Sequence, residues 1–364
     1  MNALRQANDR LDSSVSGFIR RLQVERGAGR MIVLLILSFG LFAILRPNVF
    51  LSLDNLQNLG MATPEIGILA LAMSVAMLTG GIDLSVVGIM DAATISMSMT
   101  YDALHQSMGA GADNMWPLLI VLALAVGLLA GFINGLLIAY TGITPILATL
   151  GTMQIFNGLG IVATGGRVLY SYPPALANLG QIAIAGVPFI FFIFVVVAVI
   201  IGIVINRTAT GRRITLQGAN AVASRYSGIN SRRALMTTYV TTGLLAGVAA
   251  VVVVMRNPIA SADYGTSYTL LVIVIAVLGG TNPNGGFATV LGVVFAALTL
   301  QIVSSGFTVM RLSQYLYTIA QGAILVIIMI IDQLDFGRLW KQRRLTQGKP
   351  PVDNAASPLQ QAAQ

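Results

Sequence analysis

The sequence predicts an all-α, polytopic membrane protein of about ten transmembrane helices, with broken or re-entrant segments among them. Three observations carry this expectation. Only 9% of the 364 residues are charged and 56% are apolar, whereas a soluble domain carries roughly 25% charged residues. The mean hydropathy of +0.82 is concentrated in runs that lack the charged outer face of elements covering a soluble core. All of the 21 Lys and Arg except Arg46, Arg167, Arg256 and Arg311 fall in segments assigned to one side of those runs. That asymmetry is the positive-inside pattern of a membrane protein, so the net charge of +8 reports topology and not a nucleic-acid partner. With no Cys and one His, disulfide frameworks, Cys clusters and ordinary zinc sites are excluded.

Residues 1–30 read as a cytoplasmic amphipathic lead-in. Their basic residues are spread along the segment, unlike the short basic region that directly precedes the core of a secretory signal. Apolar spans are expected at 31–45, 59–78, 84–100, 117–139, 145–163, 187–205, 234–254, 268–278, 287–303 and 313–331, so that 31–331 forms the transmembrane domain. The first run covers only about 22 Å of a roughly 30 Å hydrocarbon core, so Arg30 and Arg46 are expected to snorkel at its ends. The runs at 268–278 and after Pro145 are the ones expected to be broken or re-entrant, which requires cover by protein or a cavity alongside. Thr63-Pro64-Glu65 reads as a helix start, with a hydroxyl cap, Pro at the first helical position and an acid in the first turn. Ten spans place both termini and the 206–233 loop in the cytoplasm. Residues 332–364 form a tail whose last part, rich in Gln, Ala and Pro, is expected to be disordered.

The chemistry of an enzyme is missing. The only lysines, Lys341 and Lys349, precede Gln342 and Pro350, so no phosphate-binding loop of the Gly-x4-Gly-Lys-Ser/Thr type exists. His105 falls in a polar outer loop with no nucleophile and acid arranged around it. No span centre carries Lys, Arg or His, and Asp83 and Asp91 flank the start of the third span, while Glu65 reads as a helix-start acid in preference to a transport residue. Asp83 lies in Thr79-Gly80-Gly81-Ile82-Asp83-Leu84-Ser85, where glycines permit a broken helix and Asp serves as a cap. A second interruption runs from Leu278-Gly279-Gly280-Thr281 through Asn282-Pro283-Asn284-Gly285-Gly286. Paired interruptions in two halves point to a transport pathway, and the same residues also suit any tight interhelical turn. Candidate pathway residues are Thr79, Asp83, Ser85, Asn134, Gln154, Asn157, Gln301 and Ser304, with Ser305 beside them. They suit a neutral polyhydroxyl solute, or equally act as interhelical glue worth about 1 kcal/mol each.

The 206–233 loop carries six Arg and no acid. Asn220 to Ser227 reads as a short helix with an Asn cap, small residues and a closing Gly228. Small Ala and Ser residues permit close approach to a partner, and the flanking Arg pair with lipid phosphates or with a partner's acidic groups.

Four motifs carry a family resemblance: Leu78-Thr79-Gly80-Gly81-Ile82-Asp83-Leu84-Ser85; Ala148-Thr149-Leu150-Gly151-Thr152-Met153 through Thr164-Gly165-Gly166-Arg167; the loop pattern Thr208-x2-Gly211-Arg212 followed by Asn220-x2-Ala223-x4-Gly228-Ile229; and Val277-Leu278-Gly279-Gly280-Thr281. In this order the chain resembles permease subunits of ribose-type, binding-protein-dependent ATP-binding-cassette (ABC) importers. Asn220-Ala221-Val222 lacks the acid often found there in relatives, and Val87 stands where many have Gly. The resemblance implies an inner-membrane permease, homodimeric or heterodimeric, served by a periplasmic solute-binding protein. It also implies cytoplasmic ATPase subunits that hold the ATP and Mg, leaving this chain without a cofactor or catalytic residue. Gly211, Arg212, Asn220, Ala223, Ser224, Arg225, Gly228 and Ile229 are then the residues coupled to the ATPase. The implied solute is a monosaccharide or polyol. Branched-chain amino acids or nucleosides on the same architecture, or an ion-coupled carrier using Asp83 or Asp91, are the alternatives.

Overall fold

Each apolar run folds as one helix in the computed structural model, which describes residues 26–333. The helices are α1 (Arg26–Leu45), α2 (Leu53–Leu78), α3 (Ser85–Met108), α4 (Trp116–Ala139), α5 (Pro145–Thr164), α6 (Phe189–Arg207), α7 (Ser231–Arg256), α8 (Tyr268–Leu278), α9 (Val290–Val309) and α10 (Gln314–Gln333). The lead-in expected over 1–30 and the tail over 332–364 lie almost wholly outside the described residues. Among the described residues, seven apolar helical stretches are long enough to cross a membrane. One of them, Ser85–Ala139, contains α3 and α4 joined by the 3₁₀ turn Gly109–Met115. The chain is therefore a multi-pass, all-α membrane protein. It divides at Thr318 into two compact units, 26–318 being the described part of the first.

Two local expectations change. Helix α1 begins at Arg26, so the first span borrows flanking residues at its start and its 20 residues reach about 30 Å. Arg30 is half-buried and donates to the Leu278 carbonyl at 3.5 Å. Helix α2 starts at Leu53 under a Ser52 cap that accepts from the Asn55 amide at 3.3 Å. Thr63-Pro64-Glu65 is therefore helix interior and not a helix start, with the Thr63 hydroxyl bonded to the Leu59 carbonyl at 2.7 Å. An intramembrane helix accepts such a Pro when surrounding protein covers the carbonyl it leaves unpaired, and α2 is 94% buried over its apolar window. Helix α5 is an uninterrupted 20-residue helix, because Pro145 occupies the first helical position, where its missing N–H costs nothing. Helix α8, at 11 residues, is too short to span the membrane, as expected.

Two glycine ridges fix the framework. Gly127 and Gly131 of α4 lie against Gly243 and Gly247 of α7, so closely that a Cβ on Gly243 would sit 2.2 Å from the Gly127 carbonyl oxygen. Between helices in lipid the hydrophobic effect adds little, and small residues spaced four apart let backbones touch and gain van der Waals contact. Helix α5, in contrast, is only 22% buried. Gly243→Val should lower the thermal unfolding midpoint of the detergent-solubilised chain sharply, whereas Gly40→Val, where nothing lies within 4 Å of the new Cβ, should leave it unchanged.

Candidate functional site

Helices α2 and α8 end in the same way. After α2, the Gly80 amide donates to the Met77 carbonyl at 2.8 Å and the Gly81 amide to Ala76 at 3.4 Å. After α8, the Gly280 amide donates to Val277 at 2.9 Å and the Thr281 amide to Ala276 at 3.0 Å. Both are Schellman endings, which need a left-handed residue after the cap, and Gly80 and Gly280 have φ of 79° and 91°. The two breaks then meet. The Gly286 amide donates to the Leu78 carbonyl at 3.0 Å, and the Ser74 and Thr281 hydroxyls bond at 2.7 Å. Gly218, near the end of the Ala209–Ala219 helix, rests on both: a Cβ there would lie 1.9 Å from the Leu78 oxygen and 2.8 Å from the Gly286 nitrogen. Three backbones thus touch at one junction, with glycine on every side.

A closed polar network adjoins it. Asp83 is fully buried; its Oδ1 accepts from the Ser85 amide at 3.1 Å and hydroxyl at 2.6 Å, and its Oδ2 from Thr242 at 2.6 Å. Asn134 donates to the Ser85 hydroxyl at 2.7 Å, and Thr152 donates to Asn134 Oδ1 at 2.7 Å. The Leu84 amide donates to Thr149 at 3.1 Å. The network ties the start of α3 to α4, α5 and α7.

The candidate pathway residues separate accordingly. Asp83, Ser85 and Asn134 come together in this network, and Thr79 bonds locally to the Ala76 carbonyl at 2.8 Å. Gln154 is exposed on α5, while Asn157 turns its Oδ1 toward Gly88 of α3. Gln301 and Ser304 sit half-buried on α9, next to Ser305, which donates to Asn55 at 2.8 Å. Removing the acceptor of a buried donor costs about 1–3 kcal/mol, so Asp83→Ala, which strands three donors, should destabilise the chain severely in a thermal denaturation series, and Thr79→Ala should barely change it.

The loop helix is as expected, Ala221–Tyr226 under an Asn220 cap. Asn220 Oδ1 accepts from the Ala223 amide at 2.9 Å. The Gly228 amide bonds the Arg225 carbonyl at 3.1 Å and the Ile229 amide bonds Ser224 at 3.1 Å, a third Schellman ending with Gly228 at φ 79°. Ala223 and Arg225 are exposed and Ser224 is buried. Gly211 packs where a Cβ would lie 2.2 Å from the Val204 oxygen, and Arg212 is exposed. The sequence reading overlooked the large residues here. Val222 and Tyr226, four apart on one helix face, are 67% and 90% exposed. Beside them a cleft of about 350 Å³ is lined by Thr210, Arg213, Gly228, Asn230 and Arg233 among others.

Residues 55–329 match the family described as branched-chain amino acid transport system, permease component. Among curated relatives, the autoinducer 2 import system permease protein LsrD of Photorhabdus temperata is 30% identical over 331 residues, 87% of this chain and 96% of its own. LsrD proteins of Salmonella typhimurium and Yersinia enterocolitica are each 30% identical, covering 85% of this chain and 92% and 94% of their own. No solved structure matches the chain. The family match across most of the chain, together with relatives aligned over nearly their whole length, places it: the chain belongs to this family of transport-system permeases, the membrane subunits of ABC importers.

Proposed function

We propose that this chain carries a monosaccharide or related polyol inward across a bacterial inner membrane as the permease of a binding-protein-dependent importer. The observation that supports the coupling mechanism is the contact of Gly218 with Leu78 and Gly286, which joins the cytoplasmic loop to both helix breaks. An ATPase subunit, holding ATP and Mg, docks on the Ala221–Tyr226 helix, with Val222 and Tyr226 as its apolar contacts. Closure of the ATPase displaces this helix and, through Ala209–Ala219, the ends of α2 and α8. The displacement switches access between the two faces, to the extent that ATP binds one state more tightly than the other. Both termini lie in the cytoplasm, and the loop arginines also pair with lipid phosphates.

A second permease subunit, identical or paralogous, covers α5. Gln154 lies exposed on a face otherwise made of Leu147, Leu150, Ile155 and Leu159, with Gly151 and Gly158 open beside it. A polar side chain facing lipid is unfavourable, whereas between helices it bonds across the contact. The relatives import autoinducer 2 by name, which supports a polyhydroxyl solute delivered by a periplasmic binding protein. The family description supports a second reading, branched-chain amino acids.

Purification of the tagged chain from native membranes, with mass spectrometry and an ATPase assay, is expected to recover a P-loop ATPase whose activity rises with loaded binding protein. Recovery of the chain alone, with gradient-driven flux in liposomes, would overturn the proposal. Gly228→Val, forced into a left-handed conformation unfavourable to a β-branched residue, should leave ATP hydrolysis running without uptake in proteoliposomes.

A further inference from the structure

A second acidic cluster lies far from the junction. Glu65, in the middle of α2, has no solvent exposure and pairs through Oε2 with Arg256 at the end of α7, at 2.6 Å. Asp91 of α3 is 2% exposed, and its Oδ2 accepts from the Gly265 amide at 3.1 Å. The other Asp91 oxygen, Oδ1, is buried without a hydrogen-bond partner among the described residues, whereas Glu65 also takes hydrogen bonds from the Tyr264 and Tyr268 phenols. A second buried acceptor without a partner, Asn157 Oδ1, faces Gly88 one turn along α3 from Asp91. In a membrane-embedded core each such acceptor is costly until a donor reaches it. The contrast with Asp83, whose two oxygens take three donors, is direct.

Hydroxyl donors match these acceptors best. Arg256 already neutralises Glu65, and the described residues hold no group of three or more acidic, His or Cys side chains that could bind a metal ion. The Tyr264 and Tyr268 rings stand 6.0 Å apart at 87°, half-buried, with their phenols hydrogen-bonded to Glu65 beside Arg256, and offer ring faces. Arg256 is 34% exposed, so the cluster has an open side on the end of α7 remote from the 206–233 loop. We propose that Glu65, Asp91, Arg256, Tyr264 and Tyr268 form an intramembrane subsite that holds a neutral, hydroxyl-rich solute, entered past Arg256. Hydroxyls of the solute donate to the free Asp91 Oδ1 and Asn157 Oδ1 and accept from the guanidinium, while a tyrosine ring covers the apolar face of the sugar. The segment 257–267 closes over it: Gly265 is bonded to Asp91, and Ala262 packs on Gly160 of α5. The inference rests on the importer reading and assigns the residues that reading leaves open.

The test uses the whole complex, permease with ATPase and binding protein, in liposomes with radiolabelled D-ribose and autoinducer 2 as probes. Asp91→Asn keeps the size and an acceptor for the Gly265 amide, and Tyr268→Phe keeps the ring and removes one phenol, leaving Tyr264 and Arg256 as donors to Glu65. Loss of a hydrogen bond to a charged group predicts a fall in uptake of about tenfold, with binding-protein-stimulated ATP hydrolysis and the thermal midpoint unchanged. Unchanged uptake in both variants, or uptake that falls only in step with ATP hydrolysis and thermal midpoint, overturns the subsite while leaving the importer standing. If the unmodified complex imports neither probe on ATP, the importer reading falls and the subsite falls with it.

Discussion

A helix that stops inside a membrane leaves carbonyls that water does not reach, and each must find a donor within the protein. At the end of α2 that donor is the Gly286 amide on the Leu78 oxygen. The bond ties the first helix break to the turn after the second, and Gly218 rests on both at backbone distance. Were side chains interposed at this point, a displacement would be absorbed in part by rotamer changes. Backbone packed on backbone has no such slack, because close-packed interiors transmit strain instead of absorbing it. The satisfaction of one carbonyl therefore also makes the mechanical link between the 206–233 loop and the membrane core.

A link transmits only against a frame that holds still. Helices α2 and α7 are 94% and 78% buried over their apolar windows, and the glycine ridges of α4 and α7 bring those two backbones into contact. The Asp83 network adds bonds from the start of α3 to α4, α5 and α7. Each donor there has an acceptor, so the network holds one arrangement. Helix α8 is different in kind. Its 11 residues begin beside Glu65 and Arg256 and end at Gly279, so it connects the remote acidic cluster to the junction within a single short rod.

Local chemistry made part of this legible in the sequence. Apolar runs located every long helix, because the bilayer demands a length of apolar chain that no loop supplies. Gly80, Gly280 and Gly228 were readable as breaks because a left-handed residue after a helix cap is a local requirement, and Asn220 because capping involves residues three apart. Features set by tertiary neighbours were hidden. Thr63-Pro64-Glu65 has the composition of a helix start, yet the Ser52 cap lies further upstream and protein surrounds α2. Gly127, Gly131, Gly243 and Gly247 carry a four-residue spacing visible in the sequence, but which ridge meets which depends on the fold. Gly218 gave no local signal at all. Nor did Tyr264 and Tyr268, which matter only because α2 brings Glu65 to them.

Two of the acids considered from the sequence, Asp83 and Asp91, illustrate why position near a span does not define a role. Both are buried carboxylates, and a carboxylate removed from water is stable only where donors or a cation replace the lost hydration. Asp83 obtains three donors from Ser85 and Thr242, so nothing more is needed there and a solute would have to displace bonds already made. Asp91 obtains one, from Gly265, and its second oxygen remains open. Along α2, the 13-residue step from Glu65 to Leu78 corresponds to about 20 Å. The saturated acid thus stands at the level of the junction, where rigidity is useful, and the cluster of Glu65 and Asp91 stands most of a membrane core away. On the proposed importer mechanism, this separation lets the junction move with recognition linked to it only through α2 and α8, an arrangement suited to alternating access.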